Sequence, residues 1–260
     1  MANEGTLKIG GEVVSGEGLK VDQTLARTPL RHLHDTQVSL EKFRIGLGNR
    51  CSAIARGVDD AERPVPDVYG RLHQMAEQME GEVDAAIGLE LGCWPVWEEW
   101  LRHVKGIGPS LAGQMLALLL PPIPTKGPSS WYKAAGLVPE QRPDGLMRLP
   151  RARVGEGKIT YHPWLRRCLY NVATSFVRNG GYYRKAYDRE KERLSGLHNG
   201  DWIPLRVDRT ARWAMMKLFL AHLWEAWSEA EGIPNRAPYV VEKLGHQLIP
   251  RPLPMGRGKI

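Results

Sequence analysis

The segment Leu101-Arg102-His103-Val104-Lys105-Gly106-Ile107-Gly108-Pro109-Ser110-Leu111-Ala112 carries an apolar pair three residues apart, Leu101 and Val104, then a Gly-apolar-Gly turn, then a small residue, Ala112, four positions past the second glycine. Two apolar-faced helices joined by such a turn make a helix-hairpin-helix. Glycine lets the backbone bend sharply and approach another chain without a Cβ in the way. Proline suits the first helical position, and a helix opening at Pro109 points unpaired amides and its positive dipole end outward. A phosphate oxygen fits there. On this reading Ile107 plugs down between the helices, while Arg102, Lys105, Gly106, Gly108 and Ser110 form the contact surface. Such a surface grips a nucleic-acid backbone without reading bases, so the binding it implies is independent of sequence and sensitive to salt. A Gly-x-Gly turn also serves plain helix packing, which is the competing reading.

Charge is distributed around this segment unevenly. The chain has 36 Lys and Arg against 29 Asp and Glu, a net charge of +7. Residues 102–220 hold 21 basic and 8 acidic side chains, a net of +13, which leaves 15 basic and 21 acidic elsewhere, a net of -6. A basic block beside an acidic remainder is the footprint expected of a chain that meets nucleic acid with one part of its surface; a solvated arginine-rich face is the plain alternative. Within the block, Leu165, Cys168, Leu169, Val172, Ala173 and Phe176 fall on one side of a helix, and Arg166, Arg167, Tyr170, Thr174 and Arg178 on the other. Tyr182, Tyr183, Arg184, Lys185, Tyr187 and Arg189 continue the mixture of basic and aromatic residues, which suits phosphate contact with base stacking. Arg166, Arg167, Arg178, Arg184 and Lys185 are therefore further candidate contacts. Pairing within the helix, as between Asp188 and Lys191, competes for the same side chains.

Outward from the block, periodicity predicts a mainly α fold. Residues 1–30, rich in glycine, read as a flexible arm. Helices over 33–56 and 67–91 are separated by Pro64 and Pro66 and form a coiled-coil-like helical hairpin spanning 31–92, in which Leu72, Met75 and Met79 offer a route to a homodimer. A helix-hairpin-helix domain follows over 93–231, with helices at 94–104, 109–120, 163–178, 182–194 and 207–231. It carries a small β-ribbon insertion pairing 146–149 with 159–161. A proline-rich, extended tail covers 232–260.

Composition excludes several classes. Apolar residues at 42% and charged residues at 25% are ordinary for a soluble globular chain. The longest apolar run, 115–122, is far short of the ~20 residues of a membrane span, so no membrane partner is expected. The first residues lack the basic start and apolar stretch of a signal peptide. Cys51, Cys93 and Cys168 are odd in number and far apart, which provides no disulfide framework and no paired zinc spacing. Together these predict a reduced, cytoplasmic protein. His32 and His34, two apart, face apart on a helix, and Asp59, Asp60 and Glu62 read as a solvated turn, so no metal is expected. No P-loop, nucleophile elbow or zincin helix occurs, and no cofactor is expected. Trp94, Trp97, Trp213, Trp224 and Trp227 lie at helical spacing and read as core.

Four motifs occur in order: 104–112, quoted above; Tyr132-Lys133-Ala134-Ala135-Gly136-Leu137-Val138-Pro139; Leu165-Arg166-Arg167-Cys168-Leu169; and Ala211-Arg212-Trp213-Ala214-Met215-Met216-Lys217-Leu218. Together they resemble the C-terminal domain of the IS-one-ten family of insertion-sequence transposases, over about residues 65–230. The resemblance implies a helix-hairpin-helix domain that, in the family, follows a coiled coil and a RuvC-like domain with four metal-binding acids. It also implies a nucleophilic serine in a Ser-Gly step after the Gly-Leu-Val-Pro motif, and recombination guided by a structured RNA. This chain departs twice. The residues before the second hairpin helix are too few and too poor in strands for a RuvC-like sheet, and the Ser-Gly position reads Arg142-Pro143-Asp144-Gly145, with no serine between Ser130 and Ser175. A carboxylate cannot replace a hydroxyl that attacks a phosphodiester, and Thr160 and Tyr161, chemically able nucleophiles, lie outside any motif. No catalytic residue is assigned. The expectation is a DNA-binding protein of mobile-element or phage origin, with structured RNA as a second possible partner. The alternatives are a recombinase subunit acting with a separate RuvC-like partner, and a helical scaffold dimerising through 68–87.

Overall fold

The computed structural model describes residues 23–56 (side chains from 29), 68–119, 127–141, 145, 147–150, 159–234 and 249–252. Helix α1 (Gln23–Ala55) and helix α2 (Val68–Leu91) lie side by side and run in opposite senses, since Gln37 reaches Asp84 while Arg44 reaches Glu80. Leu30 and Leu47 of α1 and Ala76, Ile87 and Leu91 of α2 are buried. Helix α1 begins at Gln23, ten residues before the start expected from periodicity. Pro29 sits within it, and Leu30, in the segment read as an arm, is fully buried. The rest of that arm, 1–22, lies outside the described residues.

Helix α3 (Pro95–Glu99), a 3-10 turn at Leu101–His103 and helix α4 (Pro109–Leu118) follow. A continuous helix over 94–104 was expected, but the chain breaks at Trp100, where φ is -141°. The reason is tertiary. The Trp100 indole is buried, stacks on Phe219 at 6.1 Å and donates its N–H to the Pro252 carbonyl at 3.0 Å. Helix α4 crosses the first two helices at Gly113, where a Cβ would lie 2.5 Å from Ile87 and 3.4 Å from Leu30. Glycine here permits the close crossing.

Helix α5 (Ser129–Ala134), not expected from periodicity, precedes a two-residue ribbon of β1 (Glu140–Gln141) and β2 (Met147–Arg148). The ribbon exists, but its pairing differs from expectation: β2 pairs antiparallel with β1, Glu140 opposite Arg148, and not with 159–161. A left-handed Gly145, at φ +77°, lies in the connection between them. Residues 159–161 instead pass alongside, with the Thr160 hydroxyl donating to the Glu140 carboxylate and the His162 N–H to the Ala134 carbonyl. Positions 142–144 lie outside the described residues, and with them Asp144.

Helices α6 (Pro163–Asn179), α7 (Tyr182–His198) and α8 (Pro204–Ala230) complete the fold. All six apolar positions assigned to the packed side of α6 are buried. Helix α8 buries side chains around much of its circumference, as a central helix should. An aromatic cluster ties the others to it: Trp94 and Trp131 meet Trp227, Trp131 meets Trp224 at 4.7 Å, and Phe176 meets both Phe219 and Tyr183. Residues 249–252 lie along this core. The carbonyls of Ile249, Pro250 and Pro252 accept from His222 Nε2, Tyr182 Oη and Trp100 Nε1, and Arg251 pairs with Glu229. One continuous apolar core includes Leu30 and Ile87 as well as Trp227. Among the described residues no helix is long and apolar enough to cross a membrane.

Candidate nucleic-acid interface

The turn from Val104 to Pro109 is half internal and half outward. Val104 and Ile107 are buried, the latter at the position expected of the plug. Gly106 has φ +97°, which only glycine adopts without strain, and its carbonyl accepts from the Ser175 hydroxyl of α6 at 2.6 Å. A Cβ on Gly106 would meet Phe176 at 3.2 Å, so this glycine faces its own chain and serves packing. Gly108 differs. It is exposed, has φ -100°, and a Cβ there would have nothing within 4 Å. Gly108, at the N-terminal cap of α4, has no side chain to accept from the first-turn amides, which start beside exposed backbone at Gly108 and Pro109.

The cations divide into two groups. Arg102 pairs with Glu98 one helical turn back. Arg184 donates to Asp188 and to the Val177 carbonyl, and the bond to Asp188 raises its pKa further. Arg166 donates to the Pro150 carbonyl and lies 5.0 Å from the Tyr161 ring. These three are committed within the protein. Lys105, Arg178 and Lys185 are exposed and have no carboxylate partner among the described residues. The Lys105 stem lies over Gly181, where a Cβ would be 3.4 Å from it. That contact places the turn against the start of α7, within one helical turn of both Arg178 and Lys185. Arg167 stands on the same side of α6 as Arg178, eleven residues earlier or about 16 Å away along the axis.

Ser110 turns toward α1 and α2. Its hydroxyl accepts from Gln37, whose amide also reaches Asp84. Burial raises the Asp84 pKa, and Glu80 adds to the rise while the Gln37 hydrogen bond opposes it. Ser110 therefore opens a cavity between α1, α2, α4 and α6 that includes Lys42, Gln114, Trp164 and Asn171. No sequence signal marked those four, because they come from three elements with no common period. Among the alternative nucleophiles, the Thr160 hydroxyl donates to Glu140, and the Tyr161 ring packs closely on Gly136. Among the described residues no group of His, Cys, Asp or Glu is arranged to hold a metal ion.

The fold and this surface define a mainly helical protein with an outward turn at a helix start and a partly uncommitted cationic edge beside it. No known protein family matches the chain, and no curated protein matches it either.

Proposed function

We propose that the chain is a nucleic-acid-binding protein that holds the sugar-phosphate backbone of DNA, or of a structured RNA, between the Lys105–Ser110 turn and the cationic edge of α6 and α7. The observation that carries this reading is the exposed start of α4 at Gly108 and Pro109, with Lys105 three residues before Gly108 and, across the contact of Lys105 with Gly181, Arg178 and Lys185, all three cations without carboxylate partners among the described residues. Helix-start amides supply fixed hydrogen-bond donors and the lysines and arginine supply charge, the combination that phosphates select. The resemblance of four ordered motifs to the C-terminal domain of IS-one-ten transposases supports the same reading and a mobile-element or phage origin. Arg102, Arg166 and Arg184, tied to protein partners, contribute less than the sequence pattern suggests.

Binding of a labelled duplex, followed by fluorescence anisotropy across a salt series, tests the proposal. Three phosphate contacts correspond to a slope of log K against log salt of about -3. A flat response between low and physiological salt overturns it.

One observation favours a second reading, a homodimer through α2. Met75 is 55% exposed and Met79 is 53% exposed, and with Val68 they leave an apolar row on the outside of that helix. Light scattering decides it: a dimer that Met75→Glu with Met79→Glu converts to a monomer supports the scaffold role.

A further inference from the structure

Beside the outward turn, α1, α2, α4 and α6 enclose a cavity of about 260 Å³. This is just under the ~300 Å³ at which pockets for drug-sized ligands begin, so it has room for one planar ring system and not for a base pair. Its charges are largely settled inside the protein. Arg44 makes two hydrogen bonds to Glu80, and Asp84 is bridged by Gln37 to Ser110. Three lining groups keep hydrogen-bonding capacity with no partner among the described residues: the amides of Gln114 and Asn171 and the carboxylate of Glu41. Each amide offers a donor and an acceptor, and the carboxylate only accepts. Two cations stand at Trp164, which is 41% exposed: Lys42 Nζ lies 5.2 Å and the Arg167 guanidinium 5.9 Å from its ring centroid.

Neutral donors and acceptors within, an acceptor suited to an exocyclic amino group, and cations held on an aromatic ring at the edge match the parts of a nucleotide. A bare phosphate would meet three carboxylates in this lining. A metal cation is disfavoured too, because these acids form no metal-holding group among the described residues. We infer that this cavity takes a single nucleotide, its base among Gln114, Asn171 and Glu41 and its phosphate at Lys42 and Arg167. In this role Trp164 is a positioning residue that holds the two cations. The occupant follows from continuity with the proposed backbone contact, on which this inference rests: Ser110, which lines the cavity, is two residues past Gly108, and Arg167, which also lines it, stands on the same side of α6 as Arg178. A strand gripped at Gly108 carries its neighbouring nucleotide to the opening, so an unpaired or extruded base enters where a stacked one does not.

The test compares one labelled duplex, fully paired or with a single unpaired nucleotide, on wild-type protein and on Gln114→Met with Asn171→Leu. These replacements keep the volume and remove the hydrogen bonds at half-buried and exposed positions. Free nucleoside monophosphates titrated calorimetrically form a second arm. Two hydrogen bonds of ordinary net strength correspond to about tenfold or more. The expected result is that the unpaired nucleotide strengthens wild-type binding about tenfold, that the double variant loses this preference, and that both proteins hold the paired duplex equally. Trp164→Leu should reduce the preference, and Trp164→Phe should restore part of it. Binding of free nucleotides that the double variant loses, with no preference for the unpaired duplex, assigns the same cavity to a soluble nucleotide. Neither effect, or effects the double variant retains, overturns the inference. Salt-sensitive binding of the paired duplex in that case leaves the backbone contact standing, whereas its absence removes the backbone contact together with the cavity assignment.

Discussion

Replacing His222 by glutamine isolates the pH dependence built into the core of this protein. His222 is 2% exposed. The Ile249 carbonyl, 2.9 Å from its Nε2, can only accept, so Nε2 carries the hydrogen and Nδ1 of the neutral ring accepts from the Tyr183 phenol at 3.0 Å. Burial is the main force holding the ring neutral. The nearby Arg251 adds to it, and the hydrogen bond to Ile249 opposes it, leaving a pKa pushed down to about 4 from an ordinary 6.5. Above pH 6.5 both folded and unfolded chains carry neutral histidine, and the contribution to stability is complete. As pH falls below 6.5 the unfolded chain takes up the proton and the folded one does not, so stability is lost until the folded pKa is reached. The gap of about 2.5 pH units, at ~1.4 kcal/mol each, amounts to about 3 kcal/mol over the whole range and about 2 kcal/mol by pH 5. Glutamine retains a donor and an acceptor but does not titrate. Urea unfolding of both proteins at pH 7.5, 6.5, 5.5 and 5 supplies the comparison, and subtraction cancels the carboxylates common to both. The wild type should lose about 2 kcal/mol relative to His222→Gln from pH 7.5 to pH 5. Stability curves that run parallel over this interval refute the reasoning.

The two glycines of the turn should separate folding from binding. Gly106→Ala introduces a Cβ at φ +97° against Phe176 and Ser175, and a drop in thermal stability equivalent to about 1–3 kcal/mol is expected. Gly108→Ala meets open space at an ordinary φ, so its melting temperature should match wild type while duplex affinity falls. Lys105→Ala with Arg178→Ala should reduce the salt slope of duplex binding by about 2, whereas Arg102→Ala, whose guanidinium already pairs with Glu98, should change it little; equal effects of the two on the slope count against a difference between paired and free cations. Burial pushes the Cys168 thiol up to about 12, so a thiol reagent should modify exposed Cys93 in the native protein and reach Cys168 only on unfolding.

Local pattern made much of the helical scaffold legible. The six apolar positions of α6 repeat at helical spacing, and all six are buried, because a helix with one apolar stripe has one way to remove it from water. Ile107, an apolar residue between two glycines and two apolar helix faces, is buried as its setting suggests. The partner of Asp188 differs from the expected Lys191: Arg184, four residues earlier on the helix, takes the carboxylate, while Lys191 lies over the Tyr187 ring.

Tertiary contacts decided what no period encodes. Helical spacing predicts continuity through Trp100, yet the chain breaks there, where its indole meets Phe219 from α8 and the Pro252 carbonyl far along the sequence. Spacing treats Gly106 and Gly108 alike, but the approach of α6 turns the first inward and leaves the second open. The cavity draws on Lys42, Gln114, Trp164 and Asn171, residues whose separation along the chain says nothing about distance in space. Sequence periodicity thus determined the buried face of α6, because burial of a stripe is a local property, but not that of α2, where Met75 and Met79 lie outside and Ala76, Ile87 and Leu91 are buried. Which polar groups remain available at the surface depended on the neighbours brought by packing, and those neighbours come from remote parts of the chain.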